Sequence, residues 1–207
     1  MIWESYPWKQ DLARTADYFS RLQSVSNLSE KQRVAIEKRT FLGFYSIRKL
    51  VEARKLSDQI RAKPTLVTIF PPTGIEVTYR NWHRSDEHFH LDKPHKETWS
   101  LVRLCHQFVH SFVFHLMENE SGFHGVMVAS DHQRAKGLLQ LKLTELIPLF
   151  EAIATDDIVS SKWQKDPQTG KETFTLSNIY LPDEPSLALS EIDEGEQGST
   201  HQATTAS

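Results

Sequence analysis

Residues 99–114, WSLVRLCHQFVHSFVF, form the most hydrophobic stretch of the chain and decide how the rest is interpreted. With 100° between successive residues of a helix, the polar residues of this stretch fall within an arc of about 140°. They are Ser100, Arg103, His106, Gln107, His110 and Ser111. Apolar residues fill the remaining perimeter, which is wider than the apolar stripe of a surface helix. The pattern therefore predicts a central helix over residues 95–118, with its polar arc as a candidate site.

Two further helices are predicted before this stretch. Apolar residues recur at steps of three and four over residues 8–25. Ser29 and Gln32 then have the spacing of a capping box, which predicts a long helix over residues 29–62. The basic cluster RKLVEARK at residues 48–55 lies on this helix, either as a solvated face or as a surface that contacts phosphate.

Short apolar runs predict antiparallel hairpins in the remainder. TLVTIF and IEVTYR flank the turn sequence PPTG, so residues 65–80 are predicted as a hairpin. Two more strands are predicted at residues 123–130 and 137–143, followed by a short helix over residues 144–155. A last hairpin is formed by IVSSKWQ and ETFTLS. With about four helices in one half and hairpins in the other, the fold class is α+β.

The charge is distributed unevenly along the chain. Residues 182–207 carry six acidic residues, no lysine or arginine and no aromatic residue, so we expect them to be a disordered acidic tail. Such a tail either keeps the protein soluble, or acts as an acidic peptide that binds a partner or mimics a nucleic acid. The remainder holds 24 basic and 21 acidic residues, and we expect residues 1–181 to form one α+β domain.

Several functional classes are disfavoured by composition. The single cysteine, Cys105, makes no internal disulfide, and the acidic Glu4 follows the start where a secretory leader carries basic residues. Polar residues interrupt the most apolar window, so we expect a cytoplasmic protein with no membrane span. No P-loop and no GxGxxG sequence occurs, so no bound cofactor is expected.

The spacing of Arg103 and His110 in RLCHQFVH resembles the Arg-x4-6-His motif of the higher-eukaryote-and-prokaryote nucleotide-binding (HEPN) proteins. The resemblance implies a helical bundle, and the β-rich residues 65–80 and 123–178 depart from that pattern. Active members are metal-independent ribonucleases whose motifs meet across a dimer, whereas other members only bind. The resemblance implies that His110 moves a proton at the ribose or leaving oxygen and that Arg103 stabilises charge on the phosphate.

The polar arc leaves two functions open. The first is a binding or regulatory protein, with RNA, a protein or a second copy of the chain as partner. The second is a HEPN-like ribonuclease with Arg103, His110 and His106 as catalytic residues. A metal site at His106 and His110, with His88 and His90 as further ligands, is disfavoured because no HExxH helix or paired-cysteine knuckle is present.

Overall fold

The computed structural model describes residues 2–180 and confirms the α+β class. Its helices are α1 (Tyr6–Leu22), α2 (Glu30–Glu52), α3 (Asp58–Ala62), α4 (Ser85–His88), α5 (Leu101–Val109) and α6 (Leu143–Ala154). Its strands are β1 (Thr65–Phe70), β2 (His95–Trp99), β3 (Ser111–Asn119), β4 (Gly122–Ser130), β5 (Leu138–Lys142), β6 (Ser160–Lys165) and β7 (Glu172–Ser177). The predicted tail, residues 182–207, lies outside the described residues.

Five of the strands form one antiparallel sheet in the order β2-β1-β5-β4-β3. The helices α1, α2, α5 and α6 pack on one face of this sheet, where the larger apolar core lies. The segment 71–94 crosses the other face, and its Val77 and Phe89 are buried there against Phe70 and Val113. Both faces of the central strands are therefore covered, which explains why those strands are apolar on both sides.

The predicted helix over residues 95–118 is wrong, because three elements replace it. β2 precedes α5, and β3 begins at Ser111, directly after the helix C-cap at His110. In β3 the side chain of Val113 faces the cluster under segment 71–94, while those of Phe114 and Leu116 face the helices. A strand buried on both faces does not alternate between apolar and polar residues, so its sequence pattern cannot be distinguished from that of a buried helix.

The predicted helix over residues 29–62 is also wrong as one element. The capping box at Ser29 and Gln32 begins α2 as predicted. The helix ends at Glu52, because Arg54 adopts a left-handed backbone with φ 55° and the N–H of Lys55 bonds the carbonyl of Leu50. Ser57 then caps α3 by accepting from the N–H of Ile60 at 3.3 Å.

The hairpin predicted over residues 65–80 does not form. β1 is present, but its partners are β2 and β5 rather than residues 75–80. The strand stops before Pro71 and Pro72, which lack the N–H that a ladder needs. The following residues instead cross the sheet as a loop whose turns are held by His88, with its ring nitrogens within 3.3 Å of the carbonyls of Ile75 and Asn81.

The remaining predicted elements are confirmed. They are the first helix, the two strands that pair as β4 and β5, the short helix that follows them and the last hairpin, β6 and β7. The last hairpin lies against α3, where the backbone N–H of Leu176 donates to Asp58 Oδ2 at 2.9 Å. Within residues 2–180, no helix has the length and apolar content needed to cross a membrane.

Candidate functional site at the contact of two helices

The candidate site lies where α5 packs on α2. The buried rings of Phe44 on α2 and Phe108 on α5 are stacked there, with 3.7 Å between their centroids. Arg48 follows Phe44 by one helical turn, and His106 and His110 flank Phe108 on α5 and at its cap. We call Arg48, His106 and His110 the Arg–His cluster.

His110 is held by its backbone at the point where α5 changes into β3. Its N–H donates to the carbonyl of His106 at 3.1 Å, as expected at a helix C-cap. Its own carbonyl accepts from the N–H of Asp131 at 3.1 Å, in the turn between β4 and β5. Two elements therefore fix the Cα of His110, although its side chain is exposed to solvent.

The rings of His106 and His110 lie close together on the surface. Their centroids are 4.5 Å apart, as four-residue spacing on a helix allows. Loss of hydration lowers the pKa of His106 below its usual value, and electrostatic interactions with His110, Arg48 and His132 lower this pKa further. His106 is therefore held in its neutral form at neutral pH.

Arg48 joins this pair through a hydrogen bond. Its Nη1 lies 3.3 Å from His110 Nε2. A guanidinium has only N–H donors, so Nε2 accepts and the proton of the neutral imidazole is on Nδ1. On its other side Arg48 donates from Nε to Glu52 Oε1 at 2.8 Å, and Lys49 also donates to Glu52 at 2.8 Å. These contacts lower the pKa of Glu52 and orient the guanidinium toward His110.

Arg103 points to different partners. Its guanidinium lies 3.6 Å from the ring centroid of Trp99, and its Nη1 is 3.6 Å from Glu97 Oε2. The same carboxylate oxygen accepts from Trp99 Nε1 at 2.7 Å. Among the described residues, no contact joins Arg103 to His106 or His110. The structure brings the two histidines together and does not bring Arg103 to them.

The other residues considered as ligands or nucleophiles lie elsewhere or are buried. His88 is buried and bonded to backbone carbonyls, while His90 is half-buried near Asp92. No group of three or more His, Cys, Asp or Glu within residues 2–180 is arranged to hold a metal ion. Burial raises the pKa of the Cys105 thiol to about 12, so this cysteine is not a nucleophile at neutral pH.

Two residues that contact or influence the site, Arg48 and His132, are not marked as site residues by any pattern in the sequence. Arg48 belongs to the basic cluster at residues 48–55, for which a surface that contacts phosphate is one of the two interpretations. Its partner was not evident, because 62 positions separate Arg48 from His110. His132 lies in the turn after β4, and the one feature of the sequence that could have indicated a place near the site is its position just after a predicted strand.

Comparisons of the chain with protein-family models, with curated proteins and with solved structures find no match. The chemistry of the Arg–His cluster is therefore interpreted from its own geometry.

Proposed function

We propose that this chain cleaves RNA without a metal ion and that the Arg–His cluster is the reacting site. The observation that supports this proposal most is the placement of two imidazoles 4.5 Å apart beside the guanidinium of Arg48. Such a set combines two groups that transfer protons with one that stabilises negative charge on a phosphate. These are the three functions needed to cleave a phosphodiester through its neighbouring 2′-hydroxyl.

His106 is the proposed general base. Its lowered pKa keeps the ring unprotonated at neutral pH, so it is ready to accept a proton. In the proposed reaction His106 takes the proton of the ribose 2′-hydroxyl while the 2′-oxygen attacks phosphorus. The bond from phosphorus to the 2′-oxygen forms as the bond to the 5′-oxygen breaks.

Arg48 and His110 complete the proposed reaction. A phosphate oxygen that accepts from Arg48 Nη1 replaces His110 Nε2 as the acceptor. His110 Nε2 then takes up a proton from solvent and donates it to the departing 5′-oxygen, and the proton that His106 has accepted returns to solvent after the reaction. The products are a 2′,3′-cyclic phosphate and a 5′-hydroxyl, with protons and electrons balanced.

The proposed phosphate ligand differs from the one that the HEPN resemblance implies. That resemblance assigns the phosphate to Arg103, whose guanidinium contacts Trp99 and Glu97 in this chain. The assignment to Arg103 stays a prediction, and Arg48 is the alternative that the contact with His110 favours. Replacing each arginine separately distinguishes the two assignments.

The experiment compares wild type with Arg48→Ala, His106→Ala, His110→Ala and Arg103→Ala. Single-stranded RNA is incubated with each protein in the presence of a chelator, and the products are analysed for 2′,3′-cyclic phosphate ends. Loss of a proton-transferring or charge-stabilising group commonly lowers the rate by about 100-fold or more. We expect that loss in the first three variants and nearly full activity in Arg103→Ala, with unchanged thermal melting in all four.

A second candidate function, binding or regulation without catalysis, is favoured by the shape of the surface. The recess beside His106 has a volume of 160 Å³ and is lined by only six residues, among them Val51 and Val102. Sites for small substrates are usually larger and deeper. If purified wild type binds RNA or a protein partner at this surface but releases no cleaved product, the binding function replaces the ribonuclease.

A further inference from the structure

A second surface, between α1 and α2, has no role in the proposed reaction. It is a groove of 810 Å³ whose walls come from residues 7–15 of α1 and 31–46 of α2. Three large apolar side chains of α2 are exposed along it, Val34 at 49%, Leu42 at 60% and Tyr45 at 45%. The helix α2 thus has two apolar faces, and only the one with Phe44 and Ile47 is buried by the core.

The groove also carries uncompensated positive charge. Lys31 and Lys38 line it, and no carboxylate within residues 2–180 forms an ion pair with either of them. The acidic residue of the lining, Asp11, is already paired with Arg14 at 2.9 Å. An apolar floor with free ammonium groups fits an acidic segment that also carries apolar side chains.

The chain leaves its last described strand near the beginning of α1. After β7, Asn178 Nδ2 donates to Asp156 Oδ1 at 3.1 Å. The ammonium of Lys9 donates to the backbone carbonyl of the same Asp156, and Lys9 follows the groove residues Pro7 and Trp8. Asn178 and Lys9 therefore both contact Asp156, which brings the chain after β7 close to the beginning of α1.

The segment that follows has the matching chemistry. Residues 182–207 contain six acidic residues and no lysine or arginine, and Leu187, Leu189 and Ile192 lie among the acids. Residues 31–46 of α2 extend over about 22 Å at 1.5 Å per residue. An extended chain covers that length with about seven residues, so the segment is long enough to reach along the whole groove.

We propose that the groove between α1 and α2 binds residues 182–207 of the same chain. Leu187, Leu189 and Ile192 occupy the apolar floor, and the neighbouring carboxylates face Lys31 and Lys38. The binding is intramolecular, so the short connection after Asn178 gives the segment a high effective concentration at the groove. This inference is independent of the proposed ribonuclease and uses none of its residues.

The test is a photo-cross-link in the full chain. Ser190→Cys is labelled with a benzophenone maleimide, and Cys105 does not compete because it is 2% exposed and its thiol stays protonated. The protein is irradiated in dilute solution, digested and analysed by mass spectrometry. We expect adducts with residues 7–15 and 31–46 of the same molecule. Adducts scattered over the surface, or adducts between ¹⁵N-labelled and unlabelled chains in a mixture, overturn the proposal.

Variants of the groove provide a second measurement. Leu42→Asp and Lys38→Glu change exposed side chains, so both proteins are expected to fold, which thermal melting checks. Each is expected to reduce the groove adducts by about tenfold, the factor that 1.4 kcal/mol represents. Leu91→Asp, on an exposed position outside the groove, is the matched control and should keep the wild-type yield. An unchanged yield in Leu42→Asp or Lys38→Glu overturns the proposal.

Discussion

The ring planes of Phe44 and Phe108 are within 3° of parallel, and this stack connects the core to the Arg–His cluster. The ring of Phe150 also packs edge-on against Phe44, with 5.4 Å between the ring centroids. Because Arg48 follows Phe44 by one turn, rotation or sliding of α2 at this stack would separate Arg48 from His110. Packing in the core thus sets the spacing of groups on the surface.

Phe108→Ala should destabilise the protein and disturb the cluster. Removing a fully packed aromatic ring costs about 3 to 5 kcal/mol of unfolding free energy. Chemical denaturation measures that cost, and Phe174→Ala, at a part-exposed position on the last hairpin, is the control with a smaller expected loss. Equal losses in the two variants would contradict the central position given to the stack.

Arg48→Gln should raise the pKa of His106. The positive charge of Arg48 is one cause of the lowered pKa, so removing that charge makes protonation of the imidazole easier. Titration of the His106 ring signals by nuclear magnetic resonance measures the shift. Arg103→Gln is the matched control, because its guanidinium contacts Trp99 and Glu97 instead. A shift in the control but not in Arg48→Gln would show that the contacts are assigned wrongly.

Asp156→Ala should detach the last hairpin from the body of the protein. The buried carboxylate accepts from the N–H of Ser57 at 2.7 Å, from its hydroxyl at 2.6 Å and from Asn178 at 3.1 Å. Its removal leaves buried donors unpaired, at a cost of about 3 kcal/mol. Hydrogen exchange should show faster exchange in β6 and β7, whereas exposed Asp157→Ala should leave both strands protected.

Gly43→Ala should destabilise α2 in spite of the better helix propensity of alanine. A Cβ at this position would lie 2.7 Å from the ring of Phe150, which is fully buried and in contact with the rings of Phe19 and Phe44. Overpacking of this kind costs about 1 to 3 kcal/mol, against at most about 1 kcal/mol gained from propensity. Ser46→Ala on the same helix is the control. A higher melting temperature for Gly43→Ala would refute the close approach.

Stability should fall as the pH is lowered from 7 to 5. Loss of hydration lowers the pKa of His115 below 6.5, and the neighbouring His83 lowers it further, while a backbone bond to Trp82 opposes both. His115 therefore takes up its proton at a higher pH in the unfolded chain than in the native state. The contribution of His115 to stability is fully present above pH 6.5, and it is lost as the pH falls toward the pKa of His115 in the native state. Melting curves of His115→Gln should depend less on pH, and an unchanged slope would exclude His115 as a source.

Local signals in the sequence predicted the elements that depend on neighbours in the chain. The capping box at Ser29 begins α2 as its residues indicate, and the strand pairs β4–β5 and β6–β7 form where short apolar runs predict them. Gly43 has a low helix propensity within α2, and the close approach of the Phe150 ring is the physical reason for a glycine there. The single helix predicted over residues 95–118 is wrong, because burial on both faces of β3 removes the alternation of apolar and polar residues that marks a strand.

The candidate site was predictable only in part. His106 and His110 are four residues apart, so helix geometry alone predicted their closeness. The contact of His110 with Arg48 depends on how α5 packs on α2, which no local spacing specifies. The same spacing argument selected Arg103, since it ignores the attraction of a guanidinium to Trp99 and Glu97.

The order of strands in the main sheet also affects how the protein is made. β5 lies between β1 and β4, although it is the last of the five strands to be synthesised. A nascent chain can pair β1 with β2 and β3 with β4, but these two ribbons have no common partner until residues 138–142 leave the ribosome. Their inner edges stay unpaired during that interval, so backbone N–H and C=O groups are exposed there to pairing with other chains. Folding of this sheet is therefore completed late, by the strand at its centre.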